Sequence, residues 1–125
     1  MDALILASGI GSRMGDKYKT KPKCLLKIYK NLTILDLVLR QLNKINKINK
    51  IYIVVGFQKK KIFYYLKKYK KKEINYIIND YYFSKGNYYS ALLAEKYIND
   101  SFIMLDADII LPRYTVIKLL NNKKQ

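Results

Sequence analysis

The chain has 125 residues, half of them hydrophobic, which suits one domain built on one core. It carries 25 Lys and Arg against 9 Asp and Glu, a formal charge of +16, with no histidine and a single cysteine, Cys24. These numbers exclude histidine-based general-base chemistry, a Ser-His-Asp arrangement, most zinc sites and an internal disulfide framework.

No run approaches the roughly 18 uncharged apolar residues of a membrane span. The opening "MDALILASG" has neither the basic region nor the cleavage site of a signal peptide. With one cysteine, this predicts a cytoplasmic protein and no membrane partner. Lysine far outnumbers arginine, and Ile, Asn and Tyr are abundant, the bias of an AT-rich genome. The lysine runs at 59–61 and 67–72 have few aromatics placed to stack bases. They read as a solvated face, and nucleic acid is not the expected partner. Such a surface still attracts a nucleoside triphosphate.

Residues 2–7 form an unbroken apolar run, expected of a strand buried on both faces of a parallel sheet. Residues 8–22 read as a loop rich in Gly, Ser and Lys, 24–29 as an extended piece, and "KNL" as a turn. A helix opens at Thr33, with Asp36 at capping-box spacing and Leu35, Val38, Leu39 and Leu42 on one face. Strands follow at 51–56, 74–78 and 101–105. Between them lie a helix over 59–69, with Ile62, Phe63 and Leu66 inward, and a helix from Asn87 to about Ile98, with Leu92 and Leu93 facing the core. A last helix is expected from Pro112. The order β-α-β-α-β-α-β-α predicts a three-layer α/β fold of Rossmann-like type with a mostly parallel sheet. In such sheets ligands sit beyond the strand C-termini, which brings "LASGIGSRMG" and "DAD" to one edge.

The glycine loop fits neither of two familiar phosphate loops. Gly9, Gly11 and Gly15 are spaced one residue too long for a dinucleotide fingerprint, and the second strand ends "VVGF" with no acid for a ribose. A Walker A loop needs Gly-Lys-Ser/Thr, and here Gly15 precedes Asp16.

Leu6, Ala7, Ser8, Gly9, Gly11 and Arg13, with Pro22 and Lys23 further on, resemble the signature of the nucleotidyltransferase superfamily that makes nucleotide-activated sugars and alcohols. Ser8 departs from the usual Ala. The resemblance continues through "TILDLVLRQL", "IYIVVGF", "GNYYSALLA" and "FIMLDAD", and is strongest to the CTP:phosphocholine cytidylyltransferase branch. It implies the fold type of the nucleotide-diphospho-sugar transferases, here as the N-terminal, nucleotide-binding portion over 1–125. It also implies nucleotidyl transfer from a nucleoside triphosphate, CTP favoured, to a phosphorylated small acceptor such as phosphocholine or a sugar phosphate.

The resemblance assigns the nucleotide to Ala7, Ser8, Gly9, Gly11, Ser12, Arg13, Lys23, Asn87, Ser90 and Asp106. Physical chemistry agrees for several of them. Glycines at 9 and 11 allow backbone N–H groups to form an anion nest. Arg13 grips phosphate oxygens, and Lys23 places charge where the α-phosphorus is attacked; these two are the expected catalytic groups. Asp106 and Asp108, two apart at a strand end, suit Mg²⁺ held with substrate phosphates. The family carries its metal on the second acid, which makes Asp108 the ligand and Asp106 a supporting group. Asn87 and Ser90, in "GNYYS", are candidates for the base and ribose, with a plain helix cap as the competing reading of Asn87. Tyr88 and Tyr89 read as packing.

Family members run on for roughly as long again, and that half normally supplies the acceptor pocket and a second acidic metal ligand. After Asp108 this chain has no Asp or Glu. The sheet edge left for further strands predicts association with a second copy or a complementing chain. Two other functions stay open at this stage: a non-catalytic module that binds nucleotide or a partner chain, and a basic nucleic-acid binder.

Overall fold

A computed structural model of the chain describes residues 1–9, 21–107, 109, 115, 118 and 121. Strand β1 (Asp2–Ala7) is buried along its whole length, as its unbroken apolar run requires. Strands β4 (Lys50–Val55) and β6 (Phe102–Asp106) flank it in parallel, and β5 (Glu73–Ile78) pairs in parallel with β4, giving the order β5-β4-β1-β6. A small antiparallel pair, β2 (Lys27–Tyr29) and β3 (Leu32–Thr33), stands apart.

Alternate residues of the central strands serve the two faces of the sheet. Ala3, Ile5 and Ala7 of β1, with Ile51, Ile53 and Val55 of β4, pack against α1 (Ile34–Asn43) and α2 (Lys59–Tyr65). Leu4, Leu6, Val54 and Ile77 pack on the other face against Ala94 of α3 (Asn87–Glu95) and Ile98. The expected three-layer α/β arrangement is therefore present.

Several local expectations hold and others are corrected. The capping box at α1 is formed: Asp36 N donates to Thr33 Oγ1 at 3.1 Å and Thr33 N to Asp36 Oδ2 at 2.9 Å. The Tyr65 hydroxyl also bonds Asp36, which ties α2 to the start of α1. The helix expected over 59–69 is α-helical only to Tyr65 and tightens to a 3₁₀ turn over Leu66–Lys68. The piece expected to be extended at 24–29 opens instead with a 3₁₀ turn, Lys23–Leu25, because Cys24 and Leu25 turn inward to the core. The turn at "KNL" lies in the hairpin of β2 and β3.

Helix α3 ends at Glu95, and its buried residues are Ser90 and Ala94. Leu92, expected inward, is 40 % exposed, because the helix rests on the sheet through its small residues. Of the helix expected from Pro112, only Thr115, Lys118 and Asn121 are described, and all are helical. No helix among the described residues is long and apolar enough to cross a membrane.

The chain runs outward from β1 to β4 and β5 with both helices on one face, then returns across the other face to β6. The strand order reverses between β1 and β6. That switch point opens a crevice beyond their C-terminal ends, where open α/β sheets bind ligands.

Candidate active site

The crevice is built from the ends of four strands. β1 passes through Ala7 into Ser8 and the exposed Gly9, and among the described residues, its chain neighbours aside, nothing lies within 4 Å of the place a Cβ would occupy at Gly9. β6 ends at Asp106, and the next residue, Ala107, bonds back to β1 through Ala107 N to Leu6 O at 3.0 Å. This bond holds the two strand ends together beyond the last paired residues.

Helix α3 starts between them. Gly86, not Asn87, is its N-cap, and no side chain caps the helix. The capping reading of Asn87 is thereby corrected: its Nδ2 donates to Asp106 Oδ1 at 3.0 Å, across the crevice. One turn on, Ser90 is fully buried, and its hydroxyl lies 2.9 Å from that of Ser8. The structure thus joins sequence-predicted residues in pairs, Ser8 with Ser90 and Asn87 with Asp106. Both pairs lie at the switch point.

Lys23 begins the 3₁₀ turn after Pro22. The turn is held by Cys24 and Leu25, which join the core cluster that also contains Ala7 and Ala107 at the ends of β1 and β6. Gly11, Ser12, Arg13 and Asp108 lie outside the described residues. β6 ends at Asp106, so the two-apart strand geometry expected for "DAD" is seen only for its first acid. Among the described residues no group of three or more His, Cys, Asp or Glu side chains is arranged to hold a metal. Asp106 puts a carboxylate at this edge, a hard oxygen ligand of the kind that suits Mg²⁺.

Two contributors escaped the sequence reading. Asn79, at the end of β5, is fully buried, and its side chain spans the loop to α3: Nδ2 donates to Ser90 Oγ at 3.0 Å and Oδ1 accepts from Tyr81 N at 2.9 Å. Gly56, at the end of β4, has no room for a Cβ, which would sit 2.8 Å from Asn79 O and 2.7 Å from Tyr82 Cβ. A buried Asn directly after a predicted strand was the available signal for the first. Only three-dimensional packing reveals the second.

The loop over 80–86 is stiffened by Lys85, whose ammonium stands 5.0 and 4.7 Å from the ring centres of Tyr81 and Tyr89. Those two rings meet edge to face at 5.7 Å. Tyr89 therefore packs as expected, whereas Tyr88 is 79 % exposed. At the opposite edge of the sheet, by the N-terminal end of β5, a groove of about 480 Å³ is lined by Phe63, Tyr69 and Tyr76 together with Lys67, Lys70 and Lys71. Aromatics therefore do accompany this lysine run, although Phe63 and Tyr76 are engaged with each other edge to face at 4.5 Å.

A parallel sheet with its phosphate-loop candidate and an acid at one switch point is the architecture of nucleotide-handling α/β enzymes. The chain belongs to the MobA-like NTP transferase domain family, whose model matches residues 3–125. It is 37% identical over 115 residues to choline-phosphate cytidylyltransferase of Haemophilus influenzae, covering 90% of this chain and 46% of that protein. It is 36% identical over 110 residues to the bifunctional protein GlmU of Methanococcus maripaludis, covering 88% of this chain and 25% of that protein. Among solved structures it matches CTP:phosphocholine cytidylyltransferase from Streptococcus pneumoniae with a TM-score of 0.70 and 30% identity, covering 86% of this chain and 44% of that one. The chain spans less than half the length of each of these relatives.

Proposed function

We propose that residues 1–125 are the nucleotide-binding portion of a cytoplasmic nucleotidyltransferase that transfers a cytidylyl group from CTP to a phosphorylated small acceptor such as phosphocholine. The observation that carries this reading is the meeting of β1's end, α3's start and β6's end at the switch point, linked through Ser8–Ser90 and Asn87–Asp106. Kinship with cytidylyltransferases supports the choice of nucleotide.

An acceptor phosphate oxygen attacks the α-phosphorus in line, a new P–O bond forms, and the bond to the β-phosphate oxygen breaks to release pyrophosphate. No covalent protein nucleophile is needed, so the lack of histidine in these residues is compatible with the reaction. The glycines at 9 and 11 allow backbone N–H groups to cradle a phosphate. Arg13 and Lys23 neutralise charge on the triphosphate as the transition state forms. Asn87 offers an uncharged polar group to the base and ribose, and the buried Ser90 ties the start of α3 to Ser8 of the glycine loop. Asp108 would hold Mg²⁺, with Asp106 in support, and the bound ion would offset phosphate charge.

Calorimetric titration of the chain with CTP, UTP, GTP and ATP, each with Mg²⁺, tests this directly. CTP is expected to bind most tightly, and binding of none of the four overturns the reading. Pyrophosphate release is expected with phosphocholine, and Asp108→Asn is expected to abolish it. Full turnover in that variant would refute the ligand assignment. CTP binding without any pyrophosphate release would assign the chain to nucleotide binding alone.

A further inference from the structure

The geometry points to the outer edge of β5, with the lysine-lined groove beside it, as a docking surface for an acidic, extended segment of a partner protein that pairs with β5 as one more strand of the sheet.

β5 ends the strand order β5-β4-β1-β6, so one side of it is unpaired among the described residues. Its register with β4 is regular from Lys50↔Glu73 to Val55↔Ile78, and Asn79 N continues it by donating to Val55 O at 2.8 Å. In a parallel ladder alternate residues turn their N–H and C=O to the same neighbour. Asn79 turns to β4, and with it Asn75 and Ile77. The backbone N–H and C=O groups of Ile74, Tyr76 and Ile78 therefore face outward, already in strand geometry. Natural edge strands are blunted by a proline, a bulge or a charge. Past Glu73, the strand "EINYII" has none of these. Tyr76 is 37% exposed and Ile78 45% exposed, so apolar surface runs along the open edge.

The same three residues put their side chains on the face toward α2, because side chains alternate along a strand. Ile74 packs against the core there, and Tyr76 meets Phe63 of α2 edge to face at 4.5 Å. By the N-terminal end of β5 this face opens into the groove of about 480 Å³. An added strand would lay alternate side chains beside Tyr76 and Ile78 and carry one of its ends over the groove.

Charge selects the occupant. Lys67, Lys70 and Lys71 line the groove, and the acid among its lining residues, Glu73, is paired with Lys50 at 3.6 Å. Lys72 turns inward and donates to Ile45 O and Ile48 O, which holds the run against the sheet. A segment with carboxylates beside the lysines and β-branched residues beside Tyr76 and Ile78 satisfies both features. A nucleic acid meets the lysines but has no backbone that pairs with β5 in register. A second copy of the chain brings the same charge of +16 to the contact, which opposes self-pairing.

The probe is a labelled strand-length peptide of alternating Val and Thr with Glu at both ends, so that either strand direction sets carboxylates by the lysines. Its binding to the whole chain is read by fluorescence anisotropy at about 200 mM salt, where contacts made by charge alone fade. The same peptide N-methylated through its Val–Thr run keeps every side chain and charge but loses its N–H donors. It is expected to bind at least about tenfold more weakly, the scale of a few lost hydrogen bonds. The double substitution Lys70→Glu and Lys71→Glu should weaken the unmodified peptide several-fold. Ile78→Pro removes an outward N–H and leaves the bonds to β4, and should weaken it about fivefold. In hydrogen exchange, the amides of Ile74, Tyr76 and Ile78 should slow on binding, whereas those of Asn75 and Ile77 are already protected in the free chain. The methylated peptide and the exchange measurement need no variant, so the test stands if Ile78→Pro fails to fold. Equal binding of the methylated peptide, no added protection of the three outward amides, or peptide binding that vanishes at this salt overturns the inference. An oligonucleotide that binds as tightly as the peptide at the same salt would assign the surface to nucleic acid. Sedimentation showing a dimer of the free chain with those amides already protected would assign the edge to a second copy. Either result overturns it as well.

Discussion

Gly9 and Gly56 are the same residue type, each following a central strand, and their surroundings differ completely. A methyl group at Gly56 would meet Tyr82 Cβ at 2.7 Å and Asn79 O at 2.8 Å, distances that force backbone to move. Gly56→Ala is therefore expected to destabilise the fold by about 1–3 kcal/mol, the usual cost of overpacking, seen as a lower urea midpoint. A methyl group at Gly9 would meet nothing within 4 Å among the described residues, its chain neighbours aside. Gly9→Ala should leave the urea midpoint within about 0.5 kcal/mol of wild type, as surface changes do, while weakening CTP by crowding the phosphates. The reverse pattern, a stable Gly56→Ala and an unfolded Gly9→Ala, would contradict both assignments. The sequence marks Gly9 through its motif. Gly56 has no motif, and its constraint comes from a loop 23 to 26 positions away that folds back over β4.

At the scale of elements, what was legible depended on whether the signal was local. The capping box of α1 spans four residues and is formed as expected, so Thr33→Ala should cost about 1 kcal/mol in urea unfolding. The four parallel strands were legible because burial on both faces leaves continuous apolar runs. α3 starts at Asn87 as expected, but its cap was not legible: Asn87 bonds Asp106, a partner 19 positions away, and Gly86 stands at the N-cap. The inward side of α3 was legible in part: Leu93 packs against the core as expected, whereas Leu92 is exposed and the small residues Ser90 and Ala94 lie buried on the sheet. Contacts between elements leave a further trace in the tyrosines. Burial raises the hydroxyl pKa of Tyr76, on β5, above its ordinary 10.0, and it does the same for Tyr69 and for Tyr65, where the Asp36 carboxylate adds to the effect. Each phenol keeps its proton to higher pH folded than unfolded. Their contribution is complete below about pH 10 and is lost as pH rises through the folded-state values. Tyr76→Phe is expected to match wild type in thermal unfolding at pH 8 and to lose less stability between pH 9 and about pH 11. Parallel decline of the two proteins would show that the Tyr76 proton plays no part.

Across the whole molecule the two edges of the sheet divide the chemistry. The net charge of +16 was legible at once, and its distribution was not, because lysines in "KKYKKK" gain meaning only when Phe63 and Tyr76 arrive from α2 and β5 beside them. The groove they share lies by the N-terminal ends of the strands, away from the crevice of Gly9 and Asp106. Lys72 is already committed there, donating to Ile48 O at 2.7 Å, and Glu73 is paired with Lys50 at 3.6 Å, so the remaining lysines are little offset by acids. A single-stranded oligonucleotide is therefore expected to bind at low salt through charge alone, and to be released between about 50 and 200 mM salt as counterions compete. The double substitution Lys70→Glu and Lys71→Glu should weaken that binding several-fold. It should leave CTP affinity unchanged, because the Debye length of about 8 Å at physiological ionic strength screens one edge from the other. Fluorescence anisotropy with a labelled oligonucleotide and calorimetry with CTP read the two edges separately. Oligonucleotide binding that persists at high salt would bring the ring faces of Tyr69 and Tyr76 into the interaction, since stacking does not depend on counterion release. Loss of CTP affinity in the same variant would show instead that the lysine groove and the crevice of Gly9 and Asp106 are coupled through β5.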